Sequence, residues 1–262
     1  MRILLLIAAM LAFGAPARAE LVQVPTRSGV TVPVWIEQPA SGAAAAWVLL
    51  YVGGTGTLQL DGGGPPSSGL GTIYIIGSRQ HLREAGLGVV VVDAPSDGPK
   101  DGMKPLYRRS PEHLQDVGAV VAEIRRRFGA QVWLFGHSNG GITAAVAARA
   151  LKAEQRPDGF ILSSATTIRS RGKPDSPFTP IPYGGPVLIV AHKNDACSHS
   201  PYADSVALAN AFPQAQPRSL LSFDGPTPAN SRDPCGAVST HSFHGQEAEA
   251  MKAIAQFVLK AR

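Results

Sequence analysis

Gln131-Val132-Trp133-Leu134-Phe135-Gly136-His137-Ser138-Asn139-Gly140-Gly141 is the stretch on which the reading of this chain turns. Gln131 to Phe135 is a short apolar run bounded by Gly129 and Gly136, as in a buried strand. Ile142 to Leu151 is almost pure alanine and aliphatic, as in a buried helix. Between them Gly136, Ser138 and Gly140 form a G-x-S-x-G turn. A serine hydroxyl stands clear of a sheet only if the chain reverses within about four residues, which forces strained dihedrals on that serine. The flanking glycines let strand and helix approach without a Cβ clash. The first N–H groups of the helix then face the hydroxyl and favour negative charge there.

Working outward, the first nineteen residues carry a different message. Arg2 precedes an apolar run, Ile3 to Phe13, that is too short to span a bilayer, and Ala17-Arg18-Ala19 is an A-x-A cleavage site. Residues 1–19 are therefore expected to be a signal peptide, residues 20–262 one folded domain, and the mature protein exported, periplasmic or secreted. No later stretch is long enough for a transmembrane helix, so stable membrane insertion after cleavage is not expected. Removing Arg2 and Arg18 lowers the formal charge of +5 by two, to an unremarkable value. Arg125-Arg126-Arg127 reads as a solvated helix end, and neither it nor the other basic cluster, Arg108-Arg109, has interleaved aromatics, which argues against a nucleic-acid partner. Cys197 and Cys235 make an even count in an exported chain, and neither belongs to a C-x-x-C pair; one disulfide is expected rather than a zinc site.

The rest of the chain alternates strands and helices. Leu21 to Val24 and Thr31 to Glu37 suggest an antiparallel hairpin turning at Ser28-Gly29. Buried strands are expected at Ala46 to Val52, Gly88 to Asp93, Gly159 to Ser163, Pro186 to His192 and Arg218 to Phe223. Helices are expected at Gly77 to Ala85, from Ser110-Pro111 onward, from Ser200-Pro201 onward and over Gln246 to Lys260. Ser110 is a good N-cap and Pro111 suits the first helical position. The loop Asp61 to Gly71 lacks a Gly-Lys-Ser/Thr ending and is no phosphate loop. Ala165 to Gly185 is polar and proline-rich, too short for a lid domain. Such alternation implies an α/β fold: a mostly parallel sheet with helices on both faces and an antiparallel N-terminal hairpin.

The order of elements, the G-x-S-x-G turn, the Asp195-Ala196-Cys197 segment after a strand and the late His241-Ser242-Phe243-His244-Gly245-Gln246-Glu247 segment resemble the α/β-hydrolase superfamily, in particular small secreted bacterial serine hydrolases. A serine alcohol is a poor nucleophile at neutral pH; it needs a histidine base, and the histidine a carboxylate. In this fold their order is Ser, then Asp or Glu, then His. Ser138 is the expected nucleophile. Asp195, in the turn after Val187 to His192, is the expected acid, with Asp224 as runner-up; Asp93 precedes the serine and reads as structural. The base is His241 or His244. His244 stands at the mouth of the last helix, where a capping role is natural. The resemblance selects His241, the first histidine of a His-Gly-Phe-x-Gly-x-Glu segment, although Ser242 stands where that pattern has glycine. A bare His-Gly ending would instead select His244. His81, His113, His137, His192 and His199 fit the order less well. The oxyanion donors are expected to be the N–H of Asn139 and that of Gly54 or Thr55.

The resulting expectation is hydrolysis of an ester-like acyl bond through an acyl-serine intermediate, on a small acyl substrate and with no metal or organic cofactor. A peptidase or a lactone hydrolase would use the same three residues. A non-catalytic binding protein is the competitor from another class, since this fold also serves as a scaffold. The pocket is expected to be shaped by loops 61–80, 94–109 and 165–185.

Overall fold

The eight strands form one sheet in the order β1-β2-β4-β3-β5-β6-β7-β8. The computed structural model describes residues 19–40, 42–60, 73–167, 178–228 and 230–261. The expected signal peptide lies outside them but for Ala19, as do the loop at 61–71 and the middle of the 165–185 segment. β1 (Ala19–Arg27) and β2 (Val30–Glu37) are the antiparallel hairpin, and β2 runs antiparallel to β4 (Gly88–Val92). β3 (Trp47–Tyr51), β5 (Val132–His137), β6 (Gly159–Ser163), β7 (Val187–His192) and β8 (Arg218–Phe223) continue in parallel.

Side chains alternate across the parallel strands, so each face of the sheet has its own core. Trp47, Leu49, Tyr51, Val132 and Leu134 point to one face, where α3 (Pro111–Phe128), α4 (Gly140–Ala150) and α5 (Tyr202–Asn210) pack. Val48, Leu50, Trp133 and Phe135 point to the other, with α1 (Tyr74–Gly77), α2 (Gln80–Glu84) and α6 (Glu247–Lys260). In α6 the stripe Met251, Ile254, Ala255 and Val258 is buried, as its spacing requires. In α3 the Ser110 side chain accepts from the His113 N–H at 3.1 Å, Pro111 opens the helix, and Gly129 closes it in the left-handed region at φ 62°.

The first strand runs longer than the expected Leu21 to Val24, and two helices also differ from the sequence reading. The helix expected over Gly77 to Ala85 is two short helices. The break falls where Arg79 turns its guanidinium to the buried Glu37, at 3.0 Å, so that ion pair overrides the helical run. The helix expected from Ile142 starts at Gly140, so Ser138 and Asn139 alone make the turn.

β3 lies between β4 and β5, so the chain leaves it first to one side and later to the other. Beyond the carboxyl ends of such neighbouring strands the connecting loops diverge and leave a crevice. Gly53 follows β3 and Ser138 follows β5, and both open into that crevice.

Candidate active site

The turn at Ser138 is tight in measurable ways. Ser138 has φ 53°, in the left-handed region that side chains with a Cβ rarely adopt. Its N–H donates to Ser163 O at 2.9 Å, and its carbonyl accepts from the Gly141 and Thr166 N–H groups. A Cβ on Gly136 would stand 2.1 Å from Gly140 O, and one on Gly140 would stand 1.9 Å from Tyr51 O. Glycine at these two positions is therefore a packing requirement of the turn.

His241 and Asp195 meet across the loops after β7 and β8. His241 Nδ1 lies 3.0 Å from Asp195 Oδ2, and the two side chains are 1% and 2% exposed. Ser200 joins them: its Oγ is 2.9 Å from Asp195 Oδ2 and 2.9 Å from His241 Nδ1. One proton arrangement serves all three contacts. Ser200 donates to the carboxylate, and the His241 Nδ1–H is shared between carboxylate and hydroxyl. That tautomer leaves Nε2 as the basic nitrogen, and among the described residues the buried Nε2 has no hydrogen-bond partner. The other carboxylate oxygen, Asp195 Oδ1, accepts from the Cys197 N–H at 2.9 Å. Thr240 Oγ1 donates to Asn194 O and Ser164 Oγ to His241 O, pinning the histidine segment to the acid loop and to the end of β6. The Cys197–Cys235 disulfide, closing a span of 38 residues, ties the same two loops covalently.

The other candidates fall elsewhere. Asp224 is 62% exposed and pairs with Lys193. His244 is 42% exposed and lies 3.4 Å from Glu247, the first residue of α6. Asp93 accepts the N–H groups of Leu58, Leu60 and Ala94, which makes it a brace for the loop after β3. His137 packs against His241 with ring centroids 5.0 Å apart; burial, and then the neighbouring imidazole, hold its pKa well below the ordinary histidine range, so it stays neutral.

Ser138, His137 and His241 line a cavity of about 320 Å³. Gly53 to Leu58 form one wall, and Ile73 and Tyr74 join Cys235, Gly236, Ala237 and Ser242 in forming the other. Of the loops expected to shape the pocket, 61–80 contributes Ile73 and Tyr74; among the described residues, segments 94–109 and 165–185 contribute nothing, and the disulfide-linked segment at Cys235, Gly236 and Ala237 lines it as well. Gly53 sits against Ser138: a Cβ there would be 2.7 Å from Ser138 Cβ. Asn139 Nδ2 donates to Gly54 O at 3.0 Å and so couples the Gly53–Thr55 loop to the turn. Among the described residues no hydrogen bond engages the backbone N–H of Gly54, Thr55 or Asn139. Gly54 and Thr55 line the same cavity as Ser138, and Asn139 follows it in the chain.

Sequence reasoning missed Ser200, Gly53 and the 235–237 wall. Ser200 reads only as the start of a helix, and no local signal marks it otherwise. It also gave Arg108 no structural role; Arg108 is 0% exposed.

Residues 78–181 match the model of a family described as serine aminopeptidase, S33. No curated protein matches the sequence. Solved structures do match. A serine hydrolase without a lid from Xanthomonas campestris aligns with TM-score 0.62 and 16% identity, covering 95% of this chain and 96% of that one. A thermophilic esterase from Thermogutta terrifontis aligns with TM-score 0.63 and 16% identity over 94% and 92%. Est1E from Butyrivibrio proteoclasticus, in a structure with ferulic acid bound, aligns with TM-score 0.62 and 18% identity over 92% and 98%. The topology, the matched segment and these likenesses agree: the chain has the fold of the α/β serine hydrolases.

Proposed function

We propose that this protein is an exported carboxylic ester hydrolase, with Ser138 as nucleophile, His241 as base and Asp195 as the acid that orients it. The observation that carries the proposal is the pairing of a strained serine with a buried His–Asp couple on one cavity. Ser138 Oγ attacks the ester carbonyl while His241 Nε2 takes its proton. Negative charge builds on the carbonyl oxygen and is met by the Asn139 N–H and by that of Gly54 or Thr55. The intermediate collapses, the alcohol leaves with the proton from His241, and water hydrolyses the acyl-serine by the same route in reverse. The Cys197–Cys235 bridge accords with export into an oxidising compartment, and no helix among the described residues is long and apolar enough to cross a membrane.

The matched family's description makes aminopeptidase the second reading. An aminopeptidase must hold a free α-ammonium, which calls for a carboxylate in the pocket. None of the described residues lining this cavity is acidic, which favours neutral acyl substrates. The test is labelling by a fluorophosphonate probe together with turnover of chromogenic esters and of aminoacyl amides. Labelling of wild type but not of Ser138→Ala, with ester turnover exceeding amide turnover, supports the proposal. An unlabelled wild type, or amide turnover above ester turnover, overturns it.

A further inference from the structure

Arg108 is the buried charge that the reaction scheme leaves unused. Among the described residues no carboxylate meets it. Its Nε donates to Met103 O at 2.8 Å, Nη1 to Thr143 Oγ1 at 3.1 Å and Nη2 to Val52 O at 3.0 Å. Burial lowers its pKa to about 10, which still leaves it cationic at neutral pH. A guanidinium taken from water without an acid partner is costly, and replacing such a group by an apolar one is often neutral or stabilising. Stability alone therefore gives little reason to place an arginine here.

Its partners supply a reason. Val52 immediately precedes the Gly53–Thr55 loop. Gly56 ends that loop under the guanidinium, where a Cβ would stand 2.4 Å from Nη2. Met103, whose carbonyl takes the Nε–H, donates its own N–H to Thr55 O at 2.6 Å. Thr143 lies in the first turn of α4, the helix that follows Ser138 and Asn139, and its hydroxyl is held from the other side by His113 Nε2 at 3.0 Å. One planar fork therefore reaches both ends of the loop and the helix that carries the other free N–H.

We propose that Arg108 is a positioning residue for the oxyanion hole: through Val52 O and Thr143 Oγ1 it sets the spacing between the loop donor at Gly54 or Thr55 and the Asn139 donor. The inference rests on the ester-hydrolase reading. Donors aimed in advance at the developing oxyanion act on the transition state and leave substrate binding nearly unchanged. Disturbing the fork should thus lower kcat and spare KM.

Thr143→Val keeps the shape and removes the hydroxyl; Thr143→Ser keeps the hydroxyl. Each is assayed with a chromogenic ester, with a trifluoromethyl ketone whose hemiketal oxygen mimics the oxyanion, and by thermal unfolding. A misplaced donor costs less than a missing one, so Thr143→Val should lose about 10- to 100-fold in kcat, with KM within about threefold. Ketone affinity should fall by the same factor as kcat/KM. Thr143→Ser should stay within about twofold of wild type in all three, and Arg108→Met, where it folds, should match or exceed the loss in Thr143→Val. Unchanged kcat and ketone affinity in Thr143→Val, whatever its melting temperature, overturns the proposal, as does a Thr143→Ser enzyme as impaired as Thr143→Val. A wild type that neither turns over esters nor takes the fluorophosphonate label removes the hydrolase reading, and this inference with it. An active, labelled wild type confines any failure to Arg108.

Discussion

Replacing Gly53 by alanine puts one methyl group against Ser138, the proposed nucleophile, and its effect can be worked out in advance. The added Cβ would lie 2.7 Å from Ser138 Cβ, 3.2 Å from Ser138 Oγ and 3.3 Å from His137 O. Carbon atoms in contact settle at about 3.5–4.0 Å, so loop and serine must separate by roughly 1 Å. Ser138 cannot yield by rotation alone, because its Cβ is the nearest atom and its backbone is held by Ser163 O, Gly141 N and Thr166 N. The loop cannot yield freely either, because Gly54 O is bound by Asn139 and Thr55 O by the Met103 N–H. Overpacking of this kind costs about 1–3 kcal/mol of stability, which a domain of this size survives. A 1 Å misplacement at a reacting centre costs about 100-fold in rate. Gly53→Ala is therefore expected to stay folded and lose roughly 100-fold in kcat on an activated ester. Gly86→Ala is the control: φ there is 89°, no atom lies within 4 Å of the added Cβ, and the position is remote from the cavity, so strain appears in the melting temperature and not in kcat. Steady-state kinetics and thermal unfolding on the same preparations separate the two effects. A Gly53→Ala enzyme within threefold of wild type in kcat would refute the reasoning, since it would mean that Ser138 does not act from the place where Gly53 confines it.

The two histidines of the late segment give the next test: His241→Ala should lose about as much activity as Ser138→Ala, because such groups act as a unit, while His244→Ala should lose far less; the reverse ranking reassigns the base. Replacing both Cys197 and Cys235 by serine releases a 38-residue span, worth about 4 kcal/mol on a chain-entropy basis, and an unchanged denaturation midpoint would remove the bridge from the stability of the fold. Stability should also fall with acid well before the carboxylates titrate. His113, held to about 3 by burial and then by Arg108 and Arg27, and His137, held well below its ordinary value by burial, both bind a proton more readily unfolded than folded. Their contribution is complete above about pH 6.5 and is lost as pH falls below it, at up to about 1.4 kcal/mol per pH unit for each. Urea unfolding at pH 7.5, 6 and 5 measures that slope. His113→Gln should shallow it, and a flat profile would show that neither histidine is held neutral by the fold.

The sequence by itself determined the order of strands and helices along the chain and the tight turn at Ser138. Period-two runs, a capped helix at Ser110 and the glycines around Ser138 are local patterns, and local backbone sterics suffice to read them. It also narrowed the acid and base to four residues, because strand ends and helix mouths are legible from hydrophobic boundaries. Tertiary structure decided what depends on contacts between distant segments. It buried His241 beside Asp195 and left Asp224 and His244 in solvent. It set Ser200 against both the carboxylate and the imidazole, and brought residues 235–237 to the cavity beside Ile73 and Tyr74. It also turned Arg108, indistinguishable in sequence from the half-buried Arg109 beside it, into a fully buried fork. Hydrophobic pattern reports which face of an element is dry. A charged side chain is buried only when acceptors from other segments converge on it, and that convergence exists only once the chain has closed.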